Sequence, residues 1–147
     1  MPLNGYKSLC DDHAPIIKSQ DKGNPQTHYA FNKGRKSYVT HYQIDGVVIT
    51  EGNKCDFLLM NEDTQNAYLI ELKGSDMCKA ALQINETAKK LSSQLSGYFL
   101  NFRIVTNKCK TQEIESAPFR KFKLDWQKRY KRNYSLKYES GQMKEDI

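Results

Sequence analysis

A chain of 147 residues has the length of one domain, because a single core commonly serves about 100 to 150 residues. Its 38% hydrophobic and 27% charged residues exclude the composition of a disordered chain, and no run approaches the ~20 apolar residues of a membrane helix. The net charge of +6 favours polyanionic partners, since basic side chains that neutralise phosphates release counterions. We predict a single domain over residues 1–147 that has no membrane partner.

The N-terminus has no apolar segment of the signal-peptide type. The cysteines are dispersed without a C-x-x-C pair, so neither a zinc knuckle nor a redox motif is present. We therefore expect a cytoplasmic protein with reduced thiols. The four cysteines are Cys10, Cys55, Cys78 and Cys109.

Residues 1–37 are predicted to form an irregular leader, because prolines and glycines interrupt any long element. Two interpretations stay open for this leader, a short helix or a segment that wraps the domain. Three strands follow. The first, Tyr38–Thr50, is rich in β-branched and aromatic residues, and Cys55–Met60 and Ala67–Lys73 are apolar runs joined by a polar hairpin at 61–66.

A helix of about five turns is predicted after Gly74, where apolar residues recur at helical spacing. Ser75 or Asp76 is available as its N-cap, and Gly97 stops it. Residues 98–106 again have strand composition. The strand–helix–strand crossover then places this strand parallel to a neighbour.

A second helix is predicted from about Ala117 to Asn133, followed by a last strand or tail from Tyr134. The full order is three strands, a helix, a strand, a helix and a final strand. The predicted class is α/β, with a mixed central sheet and helices packed on its faces. The core spans about 38–106, and the basic, aromatic C-terminal helix and tail span 117–147.

Two carboxylates and a lysine carry the chemistry of the predicted core. Asp56 starts one strand, and Glu71 and Lys73 end the next on a shared face. A hairpin brings Asp56 near Glu71, and such oxygen ligands suit Mg²⁺ or Mn²⁺, which bridges a scissile phosphate and activates water. Lys73 is placed to orient that water or to stabilise the developing charge.

The alternative is that Glu71 and Lys73 are ordinary solvated residues of an amphipathic strand. Two features count against it. Apolar neighbours make the strand look buried on both faces, where a carboxylate is costly. The strand also ends at Gly74 before a helix, where sites form in α/β sheets.

Asp56, a fourteen-residue gap and Glu71-x-Lys73 resemble the PD-(D/E)-x-K phosphodiesterase superfamily over roughly residues 40–106. The resemblance implies an αβββαβ restriction-endonuclease-like core and metal-dependent hydrolysis of DNA or RNA. It assigns metal binding to the Asp and Glu and catalysis to the Lys. Cys55 stands where the motif usually has proline.

The resemblance also directs attention to two further residues. Many members take an acidic metal ligand from an N-terminal helix, and no such helix with a well-placed Glu is visible before Tyr38. Asp45 is the nearest candidate, although Asp45-Gly46 is also a frequent turn pair. Gln83 resembles a glutamine that RecB-like members place near their metal; otherwise it is an ordinary surface helix residue.

The second helix carries a separate pattern of aromatic and basic residues. Its aromatics step by three, four and four positions, which favours a core stripe, and its basic face is a candidate for contacts with phosphates. The candidate nucleic-acid-binding residues are Arg120, Lys121, Lys123, Lys128, Arg129, Lys131 and Arg132.

The first functional hypothesis is a Mg²⁺-dependent (or Mn²⁺-dependent) nuclease with Asp56, Glu71, Lys73 and Gln83 as catalytic residues and Asp56, Glu71 and Asp45 as metal ligands. DNA is favoured over RNA, and a homodimer or a larger nuclease complex is the expected assembly. Phage defence, mobile elements and repair are roles associated with small members. The alternatives are a nuclease-fold subunit that binds nucleic acid without cutting alone, and a silent protein-interaction module.

Overall fold

The computed structural model describes residues 3–72, 76–108 and 111–147. Within these ranges the chain forms eight β-strands, three α-helices and a 3-10 turn at Lys33–Arg35. The strands are β1 (Ile16–Ser19), β2 (Thr27–Phe31), β3 (Val39–Gln43), β4 (Phe57–Asn61), β5 (Asn66–Leu72), β6 (Phe99–Thr106), β7 (Tyr134–Ser140) and β8 (Gln142–Asp146). The helices are α1 (Met77–Lys90), α2 (Thr111–Ile114) and α3 (Ala117–Tyr130).

Five strands form a mixed central sheet in the order β3-β4-β5-β6-β7. The first three are antiparallel neighbours, whereas β5, β6 and β7 are parallel. Helix α1 connects β5 to β6, and α2 with α3 connects β6 to β7, as parallel neighbours require. The predicted mixed sheet is confirmed, as is the order of three strands, a helix, a strand, a helix and a final strand. The first helix of the αβββαβ core is not found among the described residues, where only the 3-10 turn at Lys33–Arg35 is helical before β3.

The two faces of the central sheet are covered by different elements. One face forms a core cluster with α1 and α3, which includes Leu58, Leu69, Phe102, Ile84 and Trp126. A second sheet, in the order β1-β2-β8, covers the other face. Helices were predicted on the faces generally, but within the described residues both long helices lie on one face.

The prediction of an irregular leader is wrong, because residues 1–37 contain β1 and β2. These two strands pair antiparallel, and β2 pairs parallel with the C-terminal strand β8. Ile17, Ala30 and Met143 point into the core from the three strands. The prolines Pro15 and Pro25 lie just outside β1 and β2, where a missing N–H breaks no ladder.

The predicted first strand, Tyr38–Thr50, is shorter than expected. It ends at Gln43, and the carbonyl of Ile44 then accepts hydrogen bonds from the backbone N–H groups of residues 47, 48 and 49. Gly46 allows this turn, because its φ of 81° is in the left-handed region that favours glycine. The Asp45-Gly46 pair therefore forms a turn and not part of a strand.

The hairpin agrees with prediction, and the first helix begins where predicted but ends at Lys90, one turn earlier than expected and before Gly97. Residues 62–65 form the turn between β4 and β5, and the Asn61 side chain accepts hydrogen bonds from the N–H groups of Asp63 and Thr64. Asp76 caps α1 by accepting from the Lys79 N–H at 2.9 Å. The helix has 14 residues, which is about four turns, and turns fill residues 91–97 before β6.

Helix α3 is held to α1 by its aromatic side chains. Ser116 caps it, and Phe119 and Trp126 are fully buried while Phe122 and Tyr130 are half-buried. The Trp126 indole N–H donates to the Asn85 side chain of α1 at 3.0 Å. The aromatic stripe is therefore core, as predicted.

No helix in the described part of the chain is both long and apolar enough to span a membrane.

A buried ion cluster joins the second sheet to the central one. The Glu145 carboxylate of β8 accepts from the Arg103 guanidinium at 2.8 and 3.1 Å and from His28 Nε2 at 2.7 Å. Arg103 is only 3% exposed, so its charge depends on Glu145 for compensation. The cluster fixes the C-terminal strand against β2 and β6.

Three cysteines are free thiols, namely Cys10, Cys55 and Cys78. That the thiols are reduced in the cell stays a prediction, and Cys109 lies outside the described residues. Cys55 is fully buried beside the start of β4. Burial, and next the nearby Glu71 charge, raise the pKa of its thiol, so Cys55 is a neutral core residue.

Candidate metal-dependent active site

Asp56 sits immediately before β4, held against the end of β5. Its backbone N–H donates to the Ile70 carbonyl at 3.1 Å. Its carboxylate accepts from the Leu72 N–H at 2.8 Å, and the residue is 7% exposed. The predicted hairpin therefore brings the Asp56 carboxylate to the backbone residue that follows Glu71.

The pKa of the Asp56 carboxyl is raised to about 7. The largest cause is burial, which disfavours the charged form. The Leu72 N–H opposes this shift, while a hydrogen bond and negative charge from Asp21, and the charge of Asp45, add to it. A cation placed beside this buried carboxyl would favour its ionised form and so lower its pKa.

Glu71 lies on the face of β5 that is turned toward the helices. Its neighbours Ile70 and Leu72 belong to the core cluster of the opposite face, as the strand alternation predicted. Glu71 is 1% exposed, and its charge raises the pKa of the Cys55 thiol. The interpretation of Glu71 as an ordinary solvated strand residue does not fit this burial. Lys73 lies outside the described residues.

Asp21 is a site residue that the sequence analysis missed. It follows β1 in the segment taken as an irregular leader, and its side chain hydrogen-bonds to Asp56. The Asn24 side chain donates to the Leu72 carbonyl at 3.1 Å and so ties the same loop to the end of β5. The sequence around Asp21 resembles any polar turn, and only the pairing of β1 with β2 brings it to Asp56.

Gln83 lies on α1, one helical turn before Thr87, which contacts the backbone of Cys55 next to Asp56. The Cys55 N–H donates to Thr87 Oγ1 at 2.8 Å, and the Thr87 hydroxyl donates to the Gln83 carbonyl at 2.9 Å. The side-chain oxygen of Gln83 is buried and has no hydrogen-bond partner among the described residues. This amide oxygen is a further hard donor on the helix face of the sheet.

Asp45 is close to Asp56 but is not buried with it. Its side chain is 54% exposed and lies 3.7 Å from the Lys54 ammonium. Its charge contributes to the raised pKa of Asp56. Asp45 is thus exposed beside Asp56, whereas Asp21 is half-buried.

The donor chemistry of the site suits a hard divalent cation. Asp56, Glu71 and Asp21 supply carboxylate oxygens and Gln83 an amide oxygen, the ligand types that Mg²⁺ and Mn²⁺ accept. Within the described ranges, no group of three or more His, Cys, Asp or Glu side chains is arranged to hold a metal ion. The donors thus match a hard cation in type, while the described side chains are not gathered into a metal-binding cluster.

The basic residues of α3 extend away from the site. The parallel strands β5, β6 and β7 all terminate at the end of the sheet where Asp56 and Glu71 lie. Because α3 follows β6 in the chain, it starts near that end and runs about 20 Å toward the end where β7 begins. Arg120 and Lys121 are near the helix start, and a second group surrounds its end. This group is Lys128, Arg129, Lys131 and Arg132, all exposed, whereas Lys123 is half-buried.

The chain was compared with protein-family models, curated proteins and solved structures. No family model, no curated protein and no solved structure gives a significant match.

Proposed function

We propose that this protein is a divalent-metal-dependent nuclease with a restriction-endonuclease-like core of the PD-(D/E)-x-K type. The observation that supports it most is that two carboxyl groups, Asp56 and Glu71, are buried where β4 begins and β5 ends, with Asp56 bonded to the N–H of the residue after Glu71. Burying two such groups is costly for a purely structural role. The cost is expected where a cation and a phosphate are to be bound.

In this proposal Asp56 and Glu71 hold Mg²⁺ or Mn²⁺, with Gln83 as a neighbouring donor. The bound ion would polarise the scissile phosphate and lower the pKa of a coordinated water. The Leu72 N–H fixes the orientation of the Asp56 carboxylate, and the proton that the Asp56 carboxyl carries when neutral would have to leave before a cation binds. Lys73 follows in the motif, where its ammonium would orient the nucleophile or stabilise developing charge.

The proposed substrate is nucleic acid, with DNA preferred over RNA. The net charge of +6 and the exposed basic residues of α3 support a polyanionic substrate. Backbone contacts of this kind position a substrate without reading its sequence. A homodimer or a larger complex would supply the second site that cutting both strands requires.

The proposal is tested by incubating labelled single- and double-stranded DNA and RNA with the purified protein in Mg²⁺, Mn²⁺ or EDTA. Cutting is expected with either metal and not with EDTA. Glu71→Gln should reduce the rate by at least about a hundredfold, because it removes a charged oxygen from the reaction centre. Lys73→Ala should have a comparable effect.

The matched control is Glu115→Gln, since Glu115 is exposed and lies outside the site. It removes the same charge and should leave the rate unchanged. Cutting that persists in EDTA or in Glu71→Gln would refute the proposal. Absence of cutting with binding intact would favour the subunit that binds nucleic acid without cutting alone.

A further inference from the structure

The strand β7 forms one edge of the central sheet, and a groove lies between β7 and α3. One part encloses about 400 Å³ and is lined by residues that include Lys123, Lys131, Tyr134 and Tyr138. An adjoining part of about 360 Å³ shares Lys123 and Tyr134 and adds Arg120. We call this surface, defined by Arg120, Lys123, Lys131, Tyr134 and Tyr138, the α3–β7 groove.

The charge of the α3–β7 groove is of one sign. Arg120, Lys123 and Lys131 line it, and no Asp or Glu is among the described residues of either part. From Arg120 to Lys131 the helix extends roughly 16 Å, so the three cations follow one direction. Such a row is complementary to a phosphate backbone and not to a single small anion.

The floor of the groove is aromatic and supported from below. The Tyr138 ring lies 6.1 Å from Phe119, and the Tyr134 ring lies 6.4 Å from Trp126. Both tyrosines are half-buried, and each packs against the core cluster and also lines the groove. Rings fixed in this way can stack on nucleobases with little loss of conformational freedom.

We infer that the α3–β7 groove binds single-stranded nucleic acid, with Arg120, Lys123 and Lys131 on phosphates and Tyr134 and Tyr138 against unpaired bases. A duplex keeps its base faces stacked inside, so it would use the cations and leave the rings without partners. The inference rests on the proposed function in one respect, namely that the bound single-stranded nucleic acid is the substrate of the nuclease. Binding itself does not require the metal or the carboxylates.

Binding is measured by fluorescence anisotropy with a fluorescein-labelled oligo-deoxythymidine in EDTA, over a range of salt concentrations. Combined Lys123→Gln and Lys131→Gln should weaken binding about tenfold or more and lower the slope of log K against log salt by about 1.4, two phosphate contacts at ~0.7 each. The matched control combines Lys7→Gln and Lys36→Gln, which remove the same charge at positions outside α3. Both residues are exposed and neither lines the groove. The control should change affinity less than about twofold.

Stacking is tested separately at Tyr138. Tyr138→Leu should weaken binding of the single strand about tenfold, whereas Tyr138→Phe keeps the ring and should keep the affinity. Thermal melting of each variant checks folding, because Tyr138 contacts Phe119. If Tyr138→Leu does not fold, the lysine pair decides, once melting shows that it is folded, because Lys123 lies over the ring of the core residue Phe119 at 5.5 Å. The single variant Lys131→Gln, at an exposed position, then separates lost binding from lost folding.

The inference is overturned if the control pair weakens binding as much as the groove pair, if no oligonucleotide binds, or if a hairpin duplex binds as tightly and depends equally on Tyr138. It is also overturned if sedimentation shows that β7 joins two copies and that Tyr138→Leu only separates them. Groove-dependent binding without cleavage would leave the inference standing and refute the nuclease proposal. If the protein cleaves nucleic acid but the groove variants bind as tightly as wild type, the nuclease proposal stands and the inference about the groove is refuted.

Discussion

The carboxyl group of Asp56 is buried, and it is only partly ionised at neutral pH. Burial is the main reason, and Asp21 and Asp45 add negative charge beside it. Such an arrangement lowers the stability of the folded chain whenever Asp56 is ionised. The unfavourable environment is consistent with a binding role, since a bound cation would remove the penalty.

Asp56→Asn should therefore stabilise the protein, and increasingly so as the pH rises. The folded pKa of about 7 exceeds the unfolded value of 3.8, so the folded state binds the extra proton between these values. Wild-type stability then falls as the pH rises through this window, a loss the amide does not share. Relative to wild type, the variant should gain about 1 to 3 kcal/mol between pH ~5 and pH ~8.

Urea denaturation of both proteins across this pH range measures the difference. The Asn side chain still accepts from the Leu72 N–H, so the backbone contact is preserved. Asp125→Asn, at an exposed position of α3, is the control and should differ from wild type by a constant amount. A difference between Asp56→Asn and wild type that is independent of pH would show that the folded pKa is not raised.

At the scale of elements, β8 depends on a buried ion cluster with one carboxylate. Burial alone would raise the pKa of Glu145, but hydrogen bonds and charge from His28 and Arg103 outweigh it and lower the pKa to about 2. Because the folded value lies below the unfolded value of 4.5, the stabilisation is complete above pH ~4.5 and is lost as the pH falls toward about 2. The attachment of the second sheet is therefore sensitive to acid.

Glu145→Gln should destabilise the protein by about 3 kcal/mol at neutral pH, because Arg103 is then buried without a counter-charge. Guanidinium denaturation measures this loss, which should shrink as the pH falls below about 4. Asp146→Asn is the matched control on the same strand. Its ion pair with Lys33 is exposed, so it should change stability by less than about 0.5 kcal/mol. Equal effects of the two variants would contradict a structural role for the cluster.

The elements that the sequence predicts well are those defined by neighbouring residues. The β4–β5 hairpin follows from a polar turn between two apolar runs, and α1 from its periodic face and the Asp76 cap. β1 and β2 were missed because they are four and five residues long and are completed by β8, more than a hundred residues away. Asp21 was missed for the same reason, since its contact with Asp56 exists only once that sheet forms.

On the scale of the whole molecule, the second sheet and the central sheet meet at the candidate site. The loop after β1 reaches Asp56 and Leu72, and β4, β5 and α1 supply the other donors. The α3–β7 groove lies at the other side of the sheet, beyond β6. Substrate contacts and chemistry are thus assigned to different elements and can be removed independently by mutation.

The central claim is that Asp56 and Glu71 hold a divalent cation, and calorimetric titration with Mn²⁺ tests it most directly. At about pH 7 in two buffers of different ionisation enthalpy, wild type should bind the ion and release roughly half a proton, because Asp56 must ionise fully. Glu71→Gln should bind at least about tenfold more weakly. Failure of wild type to bind Mn²⁺, or equal binding by Glu71→Gln, would contradict the assignment of this site.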